Sequence, residues 1–261
     1  MTSTADVDVN MATVRRLVGE AAARGAKVVV VPECFAYLGP ESGKLAIAET
    51  FENGGPILER CREAARSAGA DVVYGGFWEK AADSDKVRNA CVYMRADGTI
   101  ANVYRKIHLF DVDLPDGTKL LESETVEPGE EIVVADTPFG TLGLSVCYDL
   151  RFPELYRKLV DAGAIALAVP AAFTLTTGKD HWHVLLRARA IEQQCYVLAA
   201  AQAGHHYGRR RSYGHALIAD PWGTVLAECG EGEGVAVAEI DPSYVQSVRG
   251  SLPSLAHRKL R

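Results

Sequence analysis

No apolar stretch in this 261-residue sequence approaches the roughly 20 residues that a bilayer-spanning helix needs. A membrane partner is therefore not expected. Basic residues are not in excess: 28 Lys and Arg stand against 34 Asp and Glu, a net charge of −6. Nucleic-acid-binding domains usually carry a basic face, so nucleic acid is not expected either. The six cysteines are Cys34, Cys61, Cys91, Cys147, Cys195 and Cys229, with no Cys-x-x-Cys pair and no regular spacing. That fits neither a disulfide framework nor a zinc knuckle. The opening MTSTADVDVN lacks the basic-then-apolar order of a secretory signal. A soluble cytoplasmic protein with mostly free thiols is the expectation. Linkers, low-complexity stretches and short repeats are also missing, so a single domain over 1–261 is expected.

Hydrophobic residues make up 48% of the chain, enough for a substantial core without disulfides. Helical spacing runs from Met11 to Arg24, with Val14, Leu17, Val18, Ala21 and Ala22 on one face and Gly25 as the stop. AKVVVVPE is a continuous apolar run, the form of a strand buried on both faces. A second helix runs from Pro56 to Ala68, opened by Gly-Gly-Pro and closed by Gly69. ADVVYGGFW reads as a strand, and RNACVYM and TIANVYRKIHL as a hairpin through Ala96-Asp97-Gly98. Pro115 to Glu131 reads as loop, and TPFGTLGLSVCY as a strand pair or a bent strand.

PELYRKLVDAG then reads as a helix stopped by Gly163, AIALAVPAAF as a strand, Asp180 to Gln194 as a helix and CYVLAAAQ as a strand. HALIADPWGTVLAE is a hairpin, GVAVAEID the last strand, and a short helix with an extended basic end follows Asp241. Alternating strands and helices define an α/β layered domain with one mixed sheet or two sheets.

Three polar residues stand at the ends of apolar strands: Glu33 after VVVVP, Lys106 in VYRKIHLF and Cys147 after LGLSV. Ligands of α/β proteins bind beyond the carboxyl ends of strands. A thiol, a carboxylate and an ammonium brought together there can attack a carbonyl, move the proton and hold the oxyanion. Each residue also has a plain reading: a solvated carboxylate, a solvated cation beside Arg105, and a small packing residue. Spacing and charge alone leave both open. His181 and His183 flank Trp182, but histidines at i and i+2 do not share a helical face, so a metal pair is not expected. A Cys-His protease reading finds no local signature and explains neither Glu33 nor Lys106.

VVVPECF, YRKIHLFD and SVCYDLRFPE resemble, in that order, the signature segments of the carbon–nitrogen hydrolase (nitrilase) superfamily. The resemblance continues through TTGKDHWHVLLRARAIEQQCYVLAAAQ and SYGHALIADPWGTVLAE and so covers nearly the whole chain. It implies an αββα sandwich, two mixed sheets flanked by helices, forming a homodimer or higher homo-oligomer. It implies no metal and no organic cofactor. Cys147 is then the nucleophile, Glu33 the general base and acid, and Lys106 the oxyanion stabiliser. Glu122, in LLESETVEPG, matches a second, supporting glutamate. The backbone N–H of Tyr148 is expected to join Lys106 in the oxyanion hole, and Lys106 to favour the thiolate of Cys147. The resemblance also implies a core strand ahead of the first helix, and the chain starts just past its expected end, leaving an unpaired sheet position.

RARAIEQQCYVLAAAQ and RRRSYGHALIADPWGTV carry a closer resemblance to the deaminated-glutathione amidase branch. That branch implies hydrolysis of a small carboxylate-bearing amide to 2-oxoglutarate and cysteinylglycine, a metabolite-repair reaction. Phe173, Thr174, Arg210 and Arg211 are the candidate substrate contacts, since Arg binds carboxylates bidentately; for Arg209–Arg211 a solvated loop is the alternative. An omega-amidase acting on 2-oxoglutaramate is the second reading. A non-catalytic binding protein on the same fold is the third, and the presence of Glu33, Lys106 and Cys147 together speaks against it.

Overall fold

In the computed structural model, which describes residues 1–82, 84–113 and 119–259, Asp6 sets where the first helix begins. Its carboxylate accepts the Val9 N–H at 3.1 Å, so α1 spans Val7–Ala23, four residues earlier than the apolar spacing indicates. The core strand β1 follows (Val28–Val31), then the short α2 (Ser42–Ile47) and α3 (Pro56–Ala68), whose ends are those expected from Pro56 and Gly69. Strands β2 (Asp71–Lys80), β3 (Val87–Met94) and β4 (Ile100–Arg105) form an antiparallel meander. Strand β1 joins this sheet in parallel on β2.

The stretch read as loop is partly ordered into strands. Strands β5 (Asp111–Asp113) and β6 (Lys119–Leu121) pair, a 3₁₀ turn covers Glu122–Glu124, and β7 (Val126–Glu127) pairs with β3. The 115–118 part of that expectation lies outside the described residues. The composition hid these strands because each is two or three residues long and held by pairing rather than by an apolar face.

TPFGTLGL resolves as a pair, β8 (Val134–Thr137) and β9 (Gly140–Leu144). Helix α4 (Pro153–Asp161), strand β10 (Ala166–Ala168) and helix α5 (Leu175–Gln193) follow. Helix α5 starts five residues before the expected Asp180, because Thr174 caps it and Gly178 passes tightly under Tyr213. A Cβ on Gly178 would lie 2.3 Å from Tyr213 Cβ. After β11 (Tyr196–Ala199), the Arg-rich segment is a hairpin and not a loop: β12 (Ala203–Tyr207) pairs with β13 (Arg210–Tyr213). The expected hairpin β14 (Leu217–Ala219) and β15 (Val225–Glu228) follows, then α6 (Pro242–Ser251). The segment GVAVAEID, read as the last strand, joins no ladder among the described residues. Of the extended basic end, residues 260–261 lie outside the described residues.

The second sheet runs β15-β14-β11-β10-β9-β8, mixed in direction. Val73, Cys91, Tyr93 and Tyr104 of the first sheet share one buried cluster with Leu142, Leu144, Leu167 and Val197 of the second, and with Tyr156, Leu159 and Leu186 of α4 and α5. A second cluster joins Val14 and Val18 of α1 and Leu58 and Cys61 of α3 to Val72, Tyr74 and Val92. Helices, sheet, sheet and helices thus stack in four layers, the αββα order. Beside β1, between Val28–Val31 and residues 235–240, runs an apolar groove of about 520 Å³. No described helix is long and apolar enough to cross a membrane.

Candidate active site

The carboxyl ends of β1, β4 and β9 meet at one cavity of about 460 Å³, lined by Glu33, Lys106, Glu122 and Cys147 among others. Strands β1 and β4 belong to the first sheet and β9 to the second, so only the packing of sheet on sheet brings Cys147 to Glu33 and Lys106.

Glu33 reaches the site because β2 bulges beneath it. The β2–β3 register shifts between Tyr74 and Phe77. Gly76, at φ 65°, passes so near that a Cβ would lie 2.4 Å from Cys34 N. The Glu33 carboxylate is buried and accepts hydrogen bonds from Asn89 Nδ2 at 2.9 Å, Lys106 Nζ at 3.1 Å and Ala172 N–H at 2.9 Å. Lys106 Nζ also donates to Glu122 Oε2 at 2.8 Å, and Asn89 Nδ2 to Glu122 Oε1 at 3.1 Å. The ammonium therefore sits between two carboxylates, and Asn89 bridges the same two.

Cys147 opens a five-residue 3₁₀ turn and has φ 47°, a left-handed conformation that non-glycine residues rarely adopt. Its N–H donates to Pro170 O at 2.9 Å. The turn is held from below by Asp149, which is fully buried. Asp149 Oδ2 accepts from Val146 N–H and from the Tyr104 hydroxyl, each at 2.8 Å. Its Oδ1 meets His108 Nδ1 at 2.7 Å, and the His108 ring stacks on Phe152 at 3.7 Å. The Tyr148 N–H lies in the first turn, ahead of the bond from Asp149 N–H to Val146 O, where helix donors have no intrahelical partner.

The electrostatics follow from burial and these partners. Burial would raise the Glu33 carboxyl, but Lys106, the Cys147 thiol, Asn89 and the Ala172 N–H together hold it below its ordinary 4.5. Burial would lower the Lys106 ammonium, yet Glu122 and Glu33 hold it well above 10.5. The Cys147 thiol is pushed well above 9.0, first by burial and then by the Glu33 charge to which it is hydrogen-bonded. Lys106 pulls toward the thiolate, as expected, but burial and the Glu33 charge outweigh it. At neutral pH the site holds a neutral thiol, an ionised carboxylate beside it and an ionised lysine. That arrangement can take the thiol proton as the sulfur attacks.

Of the candidate substrate contacts, Phe173, Thr174 and Arg210 line the cavity. Arg211 does not; it is exposed on β13. Arg210 donates from one guanidinium nitrogen to Ala172 O at 2.6 Å, while its buried NH1 has no hydrogen-bond partner. Arg151 and Tyr207 also line the cavity, and Arg151 lies over the Phe173 ring at 5.1 Å. The sequence reading missed Asn89, Asp149 and Arg151. Asn89 was visible as a polar residue inside the apolar strand RNACVYM, and Asp149 as the acid three residues past Val146, a capping position.

The family described as carbon-nitrogen hydrolase matches residues 1–250, and the chain belongs to it. A protein of Synechocystis named deaminated glutathione amidase is 46% identical over 99% of this chain and 95% of its own length. The crystal structure of the C. elegans NitFhit protein superposes with a TM-score of 0.93 at 41% identity over 99% of this chain; the chain spans 63% of that one. The structure of Saccharomyces cerevisiae Nit3, described as a member of branch 10 of the nitrilase superfamily, gives 0.86 at 31% identity, covering 99% of this chain and 93% of that one. The four-layer fold is the nitrilase type, and the chain is a hydrolase of carbon–nitrogen bonds.

Proposed function

We propose that this protein is an amidase working through a Cys147 thioester, with deaminated glutathione as its substrate. The observation that carries the reading is a buried thiol in one cavity with a buried carboxylate that is itself clamped by Lys106. Cys147 Sγ attacks the amide carbon while Glu33 accepts the thiol proton. The carbonyl oxygen becomes an oxyanion, held by Lys106 Nζ and the Tyr148 N–H; one such donor is worth about 3 kcal/mol of barrier. The C–N bond breaks as Glu33 returns the proton to the leaving amine. Water then attacks the thioester, Glu33 takes its proton and gives it to the departing sulfur, and a carboxylic acid leaves. Glu122 positions Lys106 through the hydrogen bond it accepts from Nζ.

Two features favour deaminated glutathione over 2-oxoglutaramate. The unpartnered Arg210 NH1 suits a carboxylate, and the substrate carries two. Its tripeptide-like length also fills more of a 460 Å³ cavity, within the usual range for small-ligand sites. The name of the Synechocystis relative points the same way. The test compares kcat/KM on the two amides. A large preference for deaminated glutathione, lowered at least tenfold by Arg210→Met mainly through KM, is the expected result. A preference for 2-oxoglutaramate would transfer the protein to the omega-amidase reading with the mechanism intact.

The pH profile offers a second check. Glu33 must be ionised to act as base, and its pKa is held below 4.5. The acid limb of kcat/KM is therefore expected below that value, with activity level from there to neutrality. The same depressed pKa makes Glu33 stabilising above about pH 4.5, a contribution lost as pH falls further. An acid limb near pH 6 to 7 would assign the base to a histidine instead.

We further read the chain as one domain over its length, acting in the cytoplasm, where six free thiols are stable. A homodimer is proposed from Val184 and Ile191 on α5, 67% and 48% exposed, and light scattering on the purified protein tests it.

A further inference from the structure

Three side chains that the proposed reaction does not use converge away from the residues lining the cavity: His183 of α5, His215 just before β14, and Glu228 at the end of β15. His183 Nε2 lies 2.9 Å and His215 Nδ1 2.7 Å from the same carboxylate oxygen, Glu228 Oε1. One ligand atom from each residue lies within 4.8 Å of the other two. We propose that His183, His215 and Glu228 form a binding site for a borderline divalent transition-metal ion, with Zn²⁺ the best fit.

The donor set decides the class of ion. Two imidazoles and one carboxylate suit Zn²⁺ and its neighbours, whereas Mg²⁺ and Ca²⁺ prefer all-oxygen shells. Arms of roughly 2.0–2.1 Å place the ligand atoms of a tetrahedron about 3.3 Å apart. The two N···O separations would need to open by only about half an ångström to admit the ion. The three side chains are 32%, 24% and 34% exposed, so water can complete the shell and the ion can enter. Among the described residues no Lys or Arg forms an ion pair with Glu228; its carboxylate faces the two imidazoles.

The histidines are also held in place. His215 has φ 58°, and its carbonyl accepts the Trp182 indole N–H at 2.8 Å. Its ring stacks on Tyr213 at 4.4 Å, and the His183 ring meets Tyr213 edge-on at 5.9 Å. A site already oriented by packing loses less freedom on binding. Because the ligands come from one helix and two strand ends, a bound ion ties α5 to the β14–β15 hairpin and stabilises the fold by mass action.

The test uses tag-free protein carrying Cys147→Ala, which removes the catalytic thiol as a competing ligand. Calorimetric titration with ZnCl₂ alone is expected to show one Zn²⁺ per chain and a Zn²⁺-dependent rise in Tm. His183→Ala and Glu228→Gln are each expected to weaken binding at least about tenfold and to abolish the Tm rise. Both residues are partly exposed, and Gln keeps an acceptor for the histidines, so one variant suffices if the other does not fold. Co²⁺ bound in place of Zn²⁺ is expected to lack a thiolate charge-transfer band. Absence of one-to-one binding, an affinity unchanged in the folded variants, or a thiolate band implicating Cys229 would each overturn the assignment.

Discussion

Cys147→Ala is expected to lower amide turnover by on the order of 10⁴-fold or more while the protein stays folded. The size of the effect follows from the chemistry: without the sulfur no thioester forms, and only binding and the oxyanion donors remain to act on water. The fold survives because the change is small. Cys147 is packed among Leu144, Val146 and Leu150, and its removal deletes one sulfur atom from that wall. The left-handed φ of 47° is as accessible to Ala as to Cys. Turnover measured beside a thermal unfolding curve separates the two effects. Mass spectrometry of wild-type protein quenched during turnover should show an acyl adduct that Cys147→Ala lacks. Full activity in the variant would end the covalent mechanism.

Lys106→Met has the second largest expected effect, and it acts on stability and rate together. Lys106 is 2% exposed and its ammonium is the only cation that hydrogen-bonds both Glu33 and Glu122 among the described residues. Removing one partner of a buried ion pair costs roughly 3–5 kcal/mol, because the charges left behind lack compensation. The loss of an oxyanion donor adds on the order of 10²–10³ in kcat. A second substitution distinguishes the two consequences. Lys106→Met combined with Glu122→Gln removes one of the stranded charges and is expected to regain much of the stability and none of the activity. The deficit should also shrink as pH falls below the carboxylate range, where the stranded groups protonate. Undiminished stability in Lys106→Met at neutral pH would show that the buried triad is not an ion cluster.

How much of this was legible beforehand depended on the range of the interaction that decides each feature. Helix α3 was readable to the residue, since Pro56 and Gly69 act on their own backbone. The starts of α1 and α5 were misplaced because side-chain caps at Asp6 and Thr174, not apolar spacing, set them. The Arg-rich hairpin was open between two readings because a run of three arginines gives no apolar alternation. Pairing of β12 with β13 settled it, and alternation along a strand then sent Arg210 to the cavity and Arg211 to solvent.

By itself the sequence determined the chemical inventory: a thiol, a carboxylate and an amine at the ends of apolar runs, in an order that resembles one family, and through that resemblance a second carboxylate. It determined the alternation of strands and helices for the same reason, since both are local patterns. Only the tertiary structure decided that Asn89 bridges Glu33 and Glu122, and that Tyr104 and His108 meet Asp149 beneath the Cys147 turn. It alone decided that the Cys147 thiol is neutral at rest, and that His183 meets His215 and Glu228 rather than His181. Desolvation and hydrogen bonding depend on what surrounds a group in space, and residues 13 to 139 positions away supply those surroundings here.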